Sequence, residues 1–147
     1  MSNNSLQDKK DAEKNEILYT TYIPANDLLK TYRTKMTRMG VGFFVETSSI
    51  RKTILSNDNF IKVLRLAMEL AIEGINHSEV AGKYLQIKSI CMQNKLFLKL
   101  TYSSELDQLR NHRYFTEIDK ILDKRGGYVG IENGEEENVL KIAIPIK

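Results

Sequence analysis

The chain has one cysteine, two histidines and no uninterrupted apolar run of bilayer-spanning length. A lone Cys91 forms no internal disulfide and cannot by itself make a metal cluster. The longest mostly apolar stretches, near residues 60–75 and 96–100, are broken by Lys62, Arg65, Glu69, Glu73 and Lys99, so no membrane insertion of this segment is expected. The N-terminal MSNNSLQDKKDAEKNE has no apolar h-region, which argues against secretion. There is no internal repeat and no Gly/Ser linker. A basic stripe is missing too: 22 basic and 19 acidic side chains are spread along the sequence for a net charge of +3, so no nucleic-acid partner is expected. These absences place the chain in the cytoplasm, either as a whole protein or as a cytoplasm-facing piece of a longer one.

What remains is an ordinary globular composition. The 147 residues, 41% hydrophobic and 28% charged, suit one domain of roughly 100–150 residues with its own core. Residues 1–19 read as a polar, frayed lead-in without apolar periodicity, and residues 20–147 as the domain. From Pro24 the stripe Leu28, Leu29, Tyr32, Met36 predicts a helix that Gly40 ends. VGFFVET then reads as a strand. Phe60, Val63, Leu64, Ala67, Met68, Ala71 and Ile75 recur at spacings of three and four, one face of a long helix opened by the capping run Ser56-Asn57-Asp58.

KYLQIKSICM and KLFLKLTY, parted by Gln93-Asn94, predict an antiparallel hairpin, with Leu96, Leu98, Leu100 and Tyr102 on one dry face. A helix over about 114–124 carries Phe115, Ile118, Ile121 and Leu122 inward and closes at Gly126-Gly127. YVGIE and NVLKIAIPI flank Asn133-Gly134 and the acidic run 135–137, a second hairpin in which Leu140, Ile142, Ile144 and Ile146 point one way. The expected fold class is α+β: a two-layer α/β sandwich, helices on one face of a mixed, mainly antiparallel sheet. Cys91 is expected as a small buried residue rather than a nucleophile, since no histidine lies near it in sequence. Met36, Met39 and Met68 are expected in the core.

Four strings in this order resemble the catalytic domain of bacterial sensor histidine kinases, in the GHKL or Bergerat ATPase superfamily, and within it the peptide-pheromone receptor kinases. They are NDLLKTYRTKMTRMGVGFFVE, MELAIEG, KYLQIKSICMQNKLFLKLTY and TEIDKILDKRGGYVGIENGEEENVLKIAIPI. MELAIEG is similar to the family's N box, Asn-Leu-Leu-Asp-Asn-Ala-Ile-Glu-Ala. The resemblance implies a histidine-kinase-like ATPase fold and a role in two-component signalling. It also exposes departures. With Ala71-Ile72-Glu73 on the family's Ala-Ile-Glu, Glu69 takes the acidic position, Leu70 that of the magnesium-binding Asn, and Leu66 that of the first Asn. Leucine offers magnesium none of the hard oxygens it requires.

The lid glycines implied by the family fall at or next to Asn111, His112, Arg113 and Tyr114, side chains that restrict the backbone and its approach to phosphates. TYSSELDQLRN lacks the adenine-loop pattern Asp-x-Gly-x-Gly and supplies only the acid Asp107. The nucleotide-cleft-equivalent positions are therefore Leu66, Glu69, Leu70, Glu73, Asp107, His112, Arg113 and Tyr114, with no catalytic residue and no metal ligand assigned.

Two uses of the acidic and basic groups stay open. Glu69 and Glu73, four apart on one helix face, suit a base and a metal ligand or simply a solvated edge. His112-Arg113 with Arg110 suits a phosphate or acidic partner, or a solvated basic loop. The expected role is a regulatory or protein-interaction module without cofactor, a pseudo-kinase-like domain whose partner is a kinase or response regulator of a two-component pathway, with a homodimer possible. The alternative is a divergent ATP-binding kinase catalytic domain, with ATP and magnesium as cofactors. A third reading, a phosphotransferase, needs His77 or His112 as acceptor.

Overall fold

A computed structural model describes residues 18–107 and 112–147; the polar lead-in to residue 17, and the sites Arg110 and Asn111, lie outside the described residues. Helix α1 (Ile23–Met39) has Pro24 in its first turn, where the missing N–H is not needed. Gly40 ends it at φ 70°, and the N–H groups of Gly40 and Val41 return to the carbonyls of Thr37 and Met36. Leu29, Tyr32 and Met36 are buried, while Leu28 and Met39 are half-buried against the same core. Strand β1 (Gly42–Glu46) follows directly.

Helix α2 (Asn57–Asn76) starts where expected, with Ser56 Oγ accepting the Asn59 N–H at 3.1 Å. Phe60, Val63, Leu64, Ala67, Met68, Ala71 and Ile75 are all buried, and so are Leu66, Leu70 and Ile72, which widens the apolar stripe to most of the helix. Strands β2 (Tyr84–Met92) and β3 (Lys95–Ser103) form the first hairpin. Its two-residue turn puts Gln93 and Asn94 at φ 55° and 62°, the left-handed pair that matches strand twist. Helix α3 (Arg113–Asp123) and strands β4 (Tyr128–Asn133) and β5 (Glu137–Pro145) complete the chain.

The sheet order is β1-β2-β3-β5-β4. β1 and β2 are parallel and every other pair is antiparallel, so the fold is the open, mixed, two-layer α+β arrangement expected. Leu85, Ile87, Leu96, Leu98, Leu100, Tyr102, Leu140, Ile142 and Ile144 form the helix-covered face and are almost wholly buried. Each such aliphatic side chain contributes roughly 1.5–3 kcal/mol relative to exposure. Cys91 is only half-buried, less than expected, because it sits near the end of β2, where its thiol donates to the Ser49 carbonyl at 3.1 Å. Among the described residues no helix is long and apolar enough to cross a membrane.

Candidate functional site

The residues singled out at the N-box-like helix separate into two kinds once α2 is packed between α1 and α3. Leu66 is 9% exposed and Leu70 0%, so both belong to the core. Glu69 and Glu73 emerge one turn apart and face different partners. The Glu69 carboxylate accepts a hydrogen bond from the Tyr32 hydroxyl at 2.5 Å and pairs with Lys35 Nζ at 3.2 Å. Burial, then the Glu69 carboxylate, pushes the Tyr32 phenol far above its ordinary pKa, so it stays a donor at any physiological pH. Tyr32 reads in the sequence as one more member of an apolar stripe. Its polar tip and Lys35, one turn on, were the only signal of this role, and the pairing of α1 with α2 is what reveals it.

Glu73 Oε1 lies 3.2 Å from His112 Nε2. His112 is the N-cap of α3, its Nδ1 accepting the Tyr114 N–H at 3.2 Å. Accepting at Nδ1 leaves the ring proton on Nε2, where it can be given to Glu73. One imidazole thus caps α3 and ties its first turn to α2. Arg113 Nη2 donates to the Tyr114 hydroxyl at 2.8 Å, and its guanidinium lies 4.6 Å from that ring's centroid. The first turn of α3 therefore closes on α2 through side chains of the protein itself.

Asp107 belongs elsewhere. It accepts from Asn133 Nδ2 at 2.6 Å, at the end of β4, and Asn138 holds the same loop through its Nδ2, 2.8 Å from the Leu106 carbonyl. His77 is exposed at the C-terminal cap of α2. Seven of the eight positions are thus brought to α2 and α3, and Asp107 is fixed to the β4–β5 turn.

The donor chemistry decides what this arrangement can hold. Magnesium asks for near-octahedral oxygen ligands. The Leu70 side chain has none and lies wholly inside the core, while Oε1 of Glu69 already serves both Tyr32 and Lys35. Among the described residues no three carboxylate, imidazole or thiol groups converge as a metal set. The position that the resemblance gives to the magnesium-binding Asn therefore carries no oxygen ligand in its side chain.

A second carboxylate fixes the segment beyond α2. Glu105 accepts from the Ser78 hydroxyl and, at 3.1 Å, from the Glu79 N–H. Those bonds, Ser78 first, hold its carboxyl below the ordinary value of 4.5. A depressed folded-state pKa contributes stability that is present above the unfolded value and lost as pH falls through the folded one. In urea melts, wild type is expected to exceed Glu105→Gln at about pH 7, the gap closing toward about pH 3. A gap that stays constant over that range contradicts the assignment.

No protein-family model and no curated protein matches the chain. Solved structures do. The catalytic domain of histidine kinase ThkA, in a nucleotide-free form, superposes with a TM-score of 0.63 at 20% identity, over 82% of this chain and 91% of that one. ThkA in complex with response regulator protein TrrA gives 0.68 at 18% identity, over 99% of this chain and 48% of that one. The Acinetobacter baumannii histidine kinase AdeS gives 0.62 at 12% identity, over 85% and 64%. The chain has the fold of histidine kinase catalytic domains.

Proposed function

We propose that this domain retains the frame of a sensor-kinase ATPase without its ATP·Mg site, and acts as a regulatory, protein-binding module in a two-component pathway. One observation carries the reading: the groups at the nucleotide-site positions make their contacts within the fold. Leu70 is core, Glu69 serves α1, and Glu73 serves the cap of α3. The apolar faces that make the frame are intact, and a frame does not dictate a chemistry. A kinase or response regulator is the proposed partner class. The ThkA structure with TrrA supports that choice by analogy, since a domain of this fold occurs there in a kinase–regulator complex.

One feature favours a second reading, a divergent ATP-binding kinase domain. Glu73 is 39% exposed at its side chain and only its Oε1 is paired with His112, which leaves an oxygen for a metal or a proton. Calorimetric titration with ATP, with and without magnesium, separates the two. The expected result is no saturable heat up to millimolar ATP from protein shown to be folded. Magnesium-dependent binding in the micromolar range would return the domain to the enzymes and identify Glu73 as the first residue to replace.

A further inference from the structure

The face of the sheet turned away from the helices carries a charge pattern that no part of the α2–α3 site uses. In register across the strands, Lys88 of β2 opposes Lys99 of β3, and Lys99 opposes Lys141 of β5. Like charges directly opposite on one sheet face destabilise it. Lys141 is relieved by Glu132, 2.7 Å away. Among the described residues neither Lys88 nor Lys99 has a carboxylate within ion-pair distance. Beside this row runs an apolar one, in which Ile90 opposes Phe97, Phe97 opposes Ala143, and Ala143 opposes Tyr128.

Ile90 and Tyr128 are 54% and 59% exposed, and Met92 next to them 51%. The Tyr128 ring lies over Gly130, where a Cβ would strike its hydroxyl. Between the two rows the surface forms a depression of about 620 Å³.

We propose that this face docks an acidic amphipathic helix of a partner protein, its apolar side on Ile90, Phe97 and Tyr128 and its carboxylates on Lys88, Lys99 and Lys141. The spacing favours a helix. Neighbouring strands lie about 4.8 Å apart, and one helical turn rises about 5.4 Å, so acids three or four residues apart meet lysines on successive strands. An extended segment repeats a side on roughly 6.6–6.8 Å and falls out of step. Polyanions without apolar groups leave the second row uncovered. The inference is independent of what the α2–α3 site binds.

The test uses the full chain and a labelled designed peptide of about five turns, with a Leu/Phe stripe bordered by Glu at every third or fourth position. Expected are micromolar binding by anisotropy and amide shifts confined to β2, β3, β4 and β5. The decisive variant is Lys99→Glu. It places a carboxylate between Lys88 and Lys141, so its Tm is expected to rise, while its affinity for the peptide falls at least about tenfold. A loss of binding in a more stable protein cannot be a folding defect.

Several outcomes overturn the proposal: no saturable binding, equal affinity for the same peptide with Lys in place of Glu, or shifts on α2 and α3 instead. Phosphatidylserine vesicles binding through Lys99 when the peptide does not would assign the face to a bilayer. A dimer broken by Tyr128→Ser would assign it to a second copy.

Discussion

Leu70→Asn is expected to lower the free energy of unfolding by about 4 kcal/mol and to create no affinity for ATP·Mg. The substitution restores, by the resemblance, the residue type that holds magnesium, so on the sequence alone it looks like a repair. The burial of that position argues against a repair. Leu70 is fully buried in α2; its replacement forfeits roughly 2 kcal/mol of apolar transfer and takes an amide out of water at a further cost of about 1–3 kcal/mol. Urea unfolding of the two proteins checks the first half, with the midpoint falling at unchanged slope. Calorimetry with ATP and magnesium checks the second. Leu70→Met is the volume-conserving control and should cost less than about 1.5 kcal/mol. A Leu70→Asn protein as stable as wild type would show that position 70 opens to the α2–α3 side rather than to the core, and magnesium-dependent ATP binding by it would mean that a single residue closed the site.

Asn138→Ala is expected to cost about 2 kcal/mol, a large loss for a polar residue near the start of an interior strand. Asn138 has no exposed surface. Its Oδ1 accepts from the Gly134 N–H at 3.2 Å, its Nδ2 donates to the Leu106 carbonyl at 2.8 Å, and it is hydrogen-bonded to the hydroxyl of the buried Tyr102. Alanine leaves the Tyr102 hydroxyl short where it is buried and releases Gly134, which is exposed, and Leu106, which is half-buried.

A double-mutant cycle with Tyr102→Phe gives the pairwise term: the double variant should lose less than the two single variants together, because removing both ends of their shared bond leaves neither end unpaired. Hydrogen exchange adds a local signature, since the loop at Leu106 and Asp107 hangs on this network and its amides should exchange faster. Strict additivity of the two substitutions would show that Tyr102 and Asn138 are not coupled.

How far the sequence could be read depends on the range of the interaction concerned. Periodicity of three and four located α2, and the Ser56 cap is bonded as the local pattern implied. Alternation gave the dry face of β3 down to Tyr102, and Gln93-Asn94 marked a turn that both residues enter with positive φ. The resemblance carried the fold, and the superposed kinase domains agree with it. The partners of the site residues were another matter. Nothing local says that Glu69 ends on Tyr32 and Lys35, 37 and 34 residues away, or that Glu73 meets His112. Asp107, grouped in the sequence with the cleft, is held by Asn133 at the β4–β5 turn.

The sequence by itself determined the element types, their order and which face of each is apolar, because helix and strand periods act over neighbouring residues and burial enforces them. Only the tertiary structure decided which polar groups are spent on the fold and which stay available. Strand register set Lys88, Lys99 and Lys141 in one row from three separate strands, and helix packing turned Leu70 inward and Glu69 toward α1. Such pairings follow from where whole elements come to rest, which no window of neighbouring residues encodes.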